Sequence, residues 1–457
     1  MGGGLLELQY IGNEEAYFLY NPEITFFKSV YRRFTNFAME TISNEFENSS
    51  IAQPFSEKKI HCKIAPRRGD LIKHMSLVID LPALQCTEKY AVQWAPNVGC
   101  ILLQAIEFMI ESQSIDKITG EWLYIYHELY SSNEERESFH TMINHPRTPI
   151  SDELLQAGNY VIPARKMIIP VPFWFSRSSG NNFPLVALGK NHVQIHVTFS
   201  ALEKAFIVRD KDGSEWKSPK SIPNILLSDF AVDSSPFTTI GTLDLNAELS
   251  VMYVFLEENE KNQISEQNLV YTLTNVQYVT AKELKRNTYK TPLQVKHPMR
   301  EIVWVLQRDD VLLRNDWFNY TNYTNKDQTE IENIMQNNPP IIITSDNSKH
   351  ILNSASLLLN KAPRFDSKPT SYFSELQPHI FMGKKVQDGI YLYNFGLNPK
   401  NVEQPSGTCN ASALNSIELV TDIVTSPNNT YYNLRVFVVA YNQLRIMGGF
   451  GGLQFSS

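Results

Sequence analysis

Gly389-Ile390-Tyr391-Leu392-Tyr393-Asn394-Phe395 is followed, after a short spacer, by Gln404-Pro405-Ser406-Gly407-Thr408-Cys409-Asn410. In the first stretch Tyr391, Tyr393 and Phe395 alternate with Leu392 and Asn394, the period-two pattern of a strand with one aromatic face. Pro405, Ser406 and Gly407 then break the chain into a turn. No catalytic chemistry needs that arrangement. A strand that presents a row of rings and runs into a turn is a framework element of a β protein.

Other stretches read the same way. In residues 192–199, Val193, Ile195, Val197 and Phe199 face one side and Gln194, His196 and Thr198 the other, as in a half-buried strand. Residues 71–81 and 100–110 are more continuously apolar and suit strands covered on both faces. Residues 120–130 and 131–143 read as short helices in a connection. A second series of strands starts near residue 243, with 249–256, 268–279, 301–306 and 433–446. The 24 prolines are spread out, as where many turns separate short strands, and the 25 Phe and 21 Tyr suit pleated surfaces. No βαβ alternation is visible, so the class is all-β with short helices in loops. At 457 residues the chain exceeds one ordinary core, and two domains are expected. Leu71-Ile72-Lys73-His74-Met75-Ser76-Leu77-Val78-Ile79 faintly echoes His297-Pro298-Met299-Arg300-Glu301-Ile302-Val303-Trp304-Val305.

The domains read as an N-terminal arm at 1–20, a first strand-rich domain at 21–226, a linker at 227–242 and a second strand-rich domain at 243–457. The arm is flexible in this reading; a helix over 5–19 is the alternative, weakened by Gly12. Polar inserts at 315–338 and 346–371 read as long exposed loops.

Candidate chemical sites are weak. His192 and His196 on a strand stand roughly 13 Å apart, too far to share one ion. Glu40, Glu107, Glu111 and Asp116 have no spacing that makes a carboxylate pair. Ser406 lacks the G-x-S-x-G elbow. Gly448-Gly449-Phe450-Gly451-Gly452 lacks the Lys and Ser/Thr of a phosphate loop, and reads as a turning tail at an interface. Cys62, Cys86, Cys100 and Cys409 have no metal-type spacing and read as free thiols, with a Cys62 to Cys86 bridge left open. No catalytic residue, metal or cofactor is assigned, and the chain reads as a non-enzyme. A net charge of −7 with only short basic spots argues against direct nucleic-acid binding. Met1-Gly2-Gly3-Gly4 resembles no secretory leader, and Leu6 stands where a myristoylation motif wants Ser or Thr. Five Asn-x-Ser/Thr sequons occur, at Asn48, Asn319, Asn322, Asn410 and Asn428. Asn319 and Asn322, in the polar insert, are the candidate glycan acceptors.

The opening motif resembles, nearly word for word, a signature of the major capsid proteins of large icosahedral nucleocytoplasmic DNA viruses. Asn21-Pro22-Glu23-Ile24-Thr25-Phe26-Phe27-Lys28-Ser29-Val30-Tyr31-Arg32-Arg33-Phe34-Thr35-Asn36-Phe37-Ala38-Met39-Glu40 is similar to that family's opening strand. Ile115-Asp116-Lys117-Ile118-Thr119-Gly120-Glu121-Trp122-Leu123 and Ile169-Pro170-Val171-Pro172-Phe173-Trp174-Phe175 are similar to two internal segments. Tyr441-Asn442-Gln443-Leu444-Arg445-Ile446-Met447-Gly448-Gly449-Phe450-Gly451-Gly452-Leu453 is similar to its closing strand and glycine-rich tail.

The resemblance implies two tandem jelly-roll β-sandwiches, and a homotrimer whose six similar blocks make a pseudo-hexameric capsomer of an icosahedral shell. It implies further copies, minor capsid proteins and a nearby internal membrane as partners, a place in the virion, and assembly in the host cytoplasm. The inserts would stand on the outer side of the capsomer. Two other readings stay open at this point: a double jelly-roll scaffold or minor capsid protein of such a virus, and a carbohydrate-binding β-sandwich.

Overall fold

The computed structural model describes residues 3–47, 51–52, 59–66, 68–144, 161–211, 216–222, 225–232, 244–285, 287–323, 349–424 and 430–455. It divides into two units, Met1–Phe37 and Ala38–Ser457.

The arm holds helices α1 (Gly3–Gln9) and α2 (Asn13–Leu19), and neither buries a residue. Gly12 separates them in extended conformation, its N–H donating to Glu15 Oε2 at 3.2 Å. Helices this short are marginal in water without something to pack on. No described arm residue before Phe37 is in a strand, so the family-like opening strand shrinks to the last four residues of its motif. Extended chain gains ladder bonds only beside a partner.

Beyond the arm, eight strands make a first sandwich: β1 (Phe37–Glu45), β2 (Lys59–Ile64), β3 (Leu71–Leu81), β4 (Leu103–Ile110), β5 (Gln113–Thr119), β6 (Arg165–Val171), β7 (Val193–Phe199) and β8 (Ala247–Leu256). Eight more make a second: β9 (Leu269–Leu284), β10 (Thr288–Pro292), β11 (Pro298–Arg308), β12 (Leu352–Leu359), β13 (Ala362–Pro369), β14 (Ile390–Asn394), β15 (Ile417–Ile423) and β16 (Tyr432–Met447). The first has sheets ordered β1-β8-β3-β6 and β2-β7-β4-β5; the second has β9-β16-β11-β14 and β10-β15-β12-β13. The two orders are the same pattern shifted by eight, with first and last strands side by side, as in a jelly roll. The faintly similar segments 71–79 and 297–305 fall on β3 and β11, which hold the same place in the two patterns.

Alternation builds the cores. β7 buries Val193, Ile195, Val197 and Phe199 and leaves the residues between them half-exposed. Ile72, Leu77 and Ile79 of β3 meet Phe108 of β4 and Ile195 of β7 in one apolar cluster, and Trp304 of β11 meets Leu357 of β12 and Leu419 of β15 in another. Helix α3 (Val98–Leu102) replaces the start of the strand read over 100–110. Helices α4 (Gly120–Tyr130) and α5 (Asn133–Ile143) stand where short helices were read, α5 opening on a Ser132/Glu135 capping box.

The domain limits need correction. β8 belongs to the first sandwich: Leu249 sits opposite Leu77 and Val251 opposite Met75. Its burial of Ala247, Leu249, Val251 and Tyr253 completes that core, and the acidic helix α6 (Glu258–Glu266) then leads to β9. Residues 227–232 are no free linker either, since Leu227, Phe230, Ala231 and Val232 are buried and Ala231 pairs with Leu84; 233–243 lie outside the described residues. The described part of the insert read at 346–371, residues 349–371, is largely a hairpin. β12 and β13 turn through Asn360 (φ 50°) and Lys361 (φ 69°), the left-handed pair of a two-residue hairpin turn. Helix α7 (Gln377–Met382), entered through a π turn at Tyr372–Leu376, follows it.

Candidate functional site

The seam between the two sandwiches is where most of the quoted motifs converge. β14 is buried throughout, and its two faces serve different cores. Ile390 and Leu392 join the first apolar cluster; Tyr391 and Tyr393 join the second, with Tyr391 5.9 Å from Trp304 and Tyr393 4.6 Å from Phe365 between ring centroids. Neighbouring strands divide likewise: Val303, Val305, Phe437 and Val439 face the first cluster, and Ile302, Trp304, Val436 and Val438 the second. One sheet of the second sandwich is thus covered on both sides, which joins the sandwiches through a continuous apolar interior.

From the first sandwich, α4 fills the seam. Thr119 caps it by accepting the Trp122 N–H at 3.2 Å. Gly120 has no alternative, because a Cβ there would stand 1.9 Å from the Cys100 carbonyl oxygen. This close approach seats Trp122, fully buried, 5.4 Å from Phe437. Tyr124 stacks on Phe318 at 4.3 Å and donates to Gln387 Oε1 at 2.6 Å. Polar groups lock the margins. Glu121 pairs with Arg435 Nε at 2.8 Å and accepts from Tyr320 Oη at 3.2 Å; burial nevertheless pushes its carboxyl pKa up. Tyr130 donates to Glu301, which is wholly buried and ion-paired with Arg300.

The motif 169–175 supplies an aromatic wedge. Phe173 and Phe175 lie 5.7 and 5.2 Å from Phe108, and Trp174 lies 5.3 Å from Tyr271 of β9. The Trp174 N–H donates to Asp116 Oδ2 at 3.2 Å, and burial raises the Asp116 pKa to about 6. The glycine-rich tail is a tight hairpin: Gly448 and Gly449 take φ of 59° and 88°, and residues Phe450–Leu453 fold back on β16. It clasps the first sandwich, with Lys190 N–H donating to Gly449 O, Gly451 N–H to Asn191 Oδ1 and Leu453 N–H to Gln113 Oε1 at 2.9–3.1 Å. Gly389, at φ 91°, is pressed against Tyr320, whose carbonyl oxygen would lie 2.3 Å from a Cβ. In the signature turn, Leu397 N–H donates to Ser406 O and Asn398 N–H to Ser406 Oγ, so that serine is a turn residue.

Other sequence candidates are scattered. Glu107 pairs with Lys117 at 2.8 Å on the outer face of β4; Asp116 points into the core, Glu111 accepts the His192 N–H, and exposed Glu40 lies on β1. His196 faces His61, rings 5.9 Å apart, while His192 precedes β7. Cys62, Cys86 and Cys100 are buried and Cys409 half-buried, all as free thiols; burial pushes Cys62 up to about 11. Of the two candidate glycan acceptors, Asn319 is half-buried and Asn322 is buried. Asn322 is 3% exposed and accepts from Tyr432 Oη; Asn319 donates its amide to Asp316 and Tyr323 O. The seam residues Phe318, Gln387 and Arg435 escaped sequence reading because their partners lie far away in the chain.

This fold defines a class, the double jelly-roll proteins. Residues 25–257 match the family model for the major capsid protein N-terminus, and 260–452 that for the large eukaryotic DNA virus major capsid protein. The chain belongs to the major capsid protein family of large eukaryotic DNA viruses, and it is a structural component of the capsid. The first match ends just after β8, at the corrected domain limit. Similar relatives include the major capsid proteins of Pyramimonas orientalis virus, 29% identical over an alignment of 484 residues, and of Paramecium bursaria Chlorella virus 1, 27% over 491, each covering all of both chains. Among solved structures, PBCV-1 VP54 is similar with a TM-score of 0.70 and 24% identity, covering 95% of this chain and 100% of its own. The Faustovirus major capsid protein gives 0.68 and 12%, covering 93% of each.

Proposed function

We propose that the chain is a tile: three copies close around a threefold axis, and their six like sandwiches give a nearly hexagonal capsomer for an icosahedral lattice. The observation that carries this is the same eight-strand order occurring twice in one unit with a shared apolar interior. A ring of three two-part subunits fills a six-neighbour lattice without needing six identical chains. The capsomer then meets further capsomers through its rims, and minor capsid proteins and an internal membrane through the arm. Support for the arm's role lies in its exposed Phe26, Phe27, Tyr31 and Phe34, 85–97% accessible. In this reading assembly takes place in the host cytoplasm, nucleic acid is not contacted directly, and no catalysis is performed. The dispersal of Glu40, Glu107, Glu111 and Asp116 favours that last point. A glycan at Asn319 or Asn322 would require local opening to free the amide.

Negative-stain class averages of the purified oligomer test the geometry. Six lobes of similar size around a threefold axis are expected. A single-lobed particle, or a ring of any other order, would contradict the tile.

A further inference from the structure

The C-terminal end of α4 meets the second sandwich at a cluster rich in cations. The His127 ring lies flat on Phe139 of α5, centroids 3.6 Å apart and planes 17° apart. Its Nδ1 is 2.8 Å from Ser131 Oγ, and its Nε2 is buried with no hydrogen-bond partner among the described residues. Lys384, just past α7 in the second sandwich, donates its Nζ to the carbonyl oxygens of Ser131 and His127. A cation from one sandwich thus closes the negative end of a helix from the other.

The groups around His127 leave a proton on Nε2 without a home. On α4 itself the nearby carboxylate is Glu128, already held by Arg136 Nη1 at 3.0 Å and His140 Nε2 at 3.4 Å from α5. From the second sandwich comes Lys384. The cleft of about 750 Å³ that His127 lines adds His74, Arg177, Arg300 and Lys400, against Glu134 and Glu135. Arg300 is neutralised by Glu301. Tyr126 and Tyr130 complete the aromatic side of the cleft.

We propose that His127 makes the join between the two sandwiches acid-labile: the join is tight while the ring is neutral and loosens when mild acid favours its protonated form. A charged ring gains water only by leaving Phe139, and that movement draws the end of α4 away from Lys384. Burial first, then His140 and Lys384, hold the His127 pKa down to about 3, against an ordinary 6.5; Glu128 opposes this weakly. The open state therefore binds the proton first. Stability from this site is complete above pH 6.5 and is lost progressively as pH falls toward 3. At pH 5.5 the opening constant rises roughly tenfold. The inference concerns the single chain and does not depend on how many copies assemble.

The test is hydrogen exchange of the full-length protein at pH 7.5 and 5.5, corrected for intrinsic rates, read over residues 120–143. Wild type should lose protection about tenfold on acidification, and His127→Gln should lose almost none. An equal loss in both, or no loss in wild type, overturns the proposal. Should His127→Gln not fold, a proton titration of isotope-labelled histidine in the wild type decides the matter. A ring that stays neutral in the folded chain down to pH 5 supports the proposal, and one that titrates near pH 6.5 overturns it.

Discussion

Gly120 and Trp122 show how one position can set the seam. A Cβ at Gly120 would meet two carbonyl oxygens, those of Cys100 and Leu103, at 1.9 and 2.2 Å, and neither backbone is free to retreat. Gly120→Ala should cost about 3 kcal/mol or more, seen as a lowered urea midpoint. Trp122→Ala, which empties a fully buried site, should cost about 3–5 kcal/mol by the same measurement. Asp116 offers a pH test. Its carboxyl pKa is raised from 3.8 to about 6, chiefly by burial, so the folded state holds the proton longer than the unfolded one. The sign follows: stability from this group is present at low pH and is lost as pH rises through that window. Asp116→Asn, whose amide oxygen can still accept from Trp174, should stabilise the chain at pH 7.5 by something on the order of 2 kcal/mol, seen as a raised melting temperature. The gain should shrink toward zero below pH 4. Sequence alone placed 115–123 in a significant motif; the cap at Thr119 and the close approach at Gly120 depend on residues that only the fold brings near.

At the scale of elements, strands were legible where one face alternates cleanly, as in β7, and where rings repeat, as in β14. Membership of a sandwich was not. β8 reads as a strand but pairs with β3, some 170 positions earlier, because a jelly roll sets its last strand beside its first and third. Local pattern carries no record of such a partner. The β12–β13 hairpin was hidden for another reason: Asn353, Ser354 and Ser356 supply a polar outer face that reads as loop, while Leu352, Ala355 and Leu357 are the buried row. Its turn makes a prediction. Lys361 stands at φ 69°, where a side chain is strained and glycine is not. Lys361→Gly should stabilise the chain by about 0.5–1 kcal/mol, read from thermal unfolding; a loss of stability would contradict the assigned turn.

For the whole molecule, the proposed tile gives the arm and the body separate parts. Unit Met1–Phe37 has no described residue buried, whereas Ala38–Ser457 encloses both cores. Removing residues 1–20 should leave folding and the number of copies in the oligomer unchanged while impairing shell formation, checked by scattering and by electron microscopy of assembly reactions. The tail should behave oppositely: truncation after Met447 removes the clasp on Lys190, Asn191 and Gln113, and should lower the melting temperature. The family-like motifs made the capsid role legible before any coordinates; the seam that makes two rolls one body was spread over residues too distant to read together. The most direct measurement is light scattering coupled to size exclusion on the purified full-length protein. A mass near 157 kDa, three times 52.4 kDa, is what the tile requires; a chain that stays at 52.4 kDa when concentrated would contradict it.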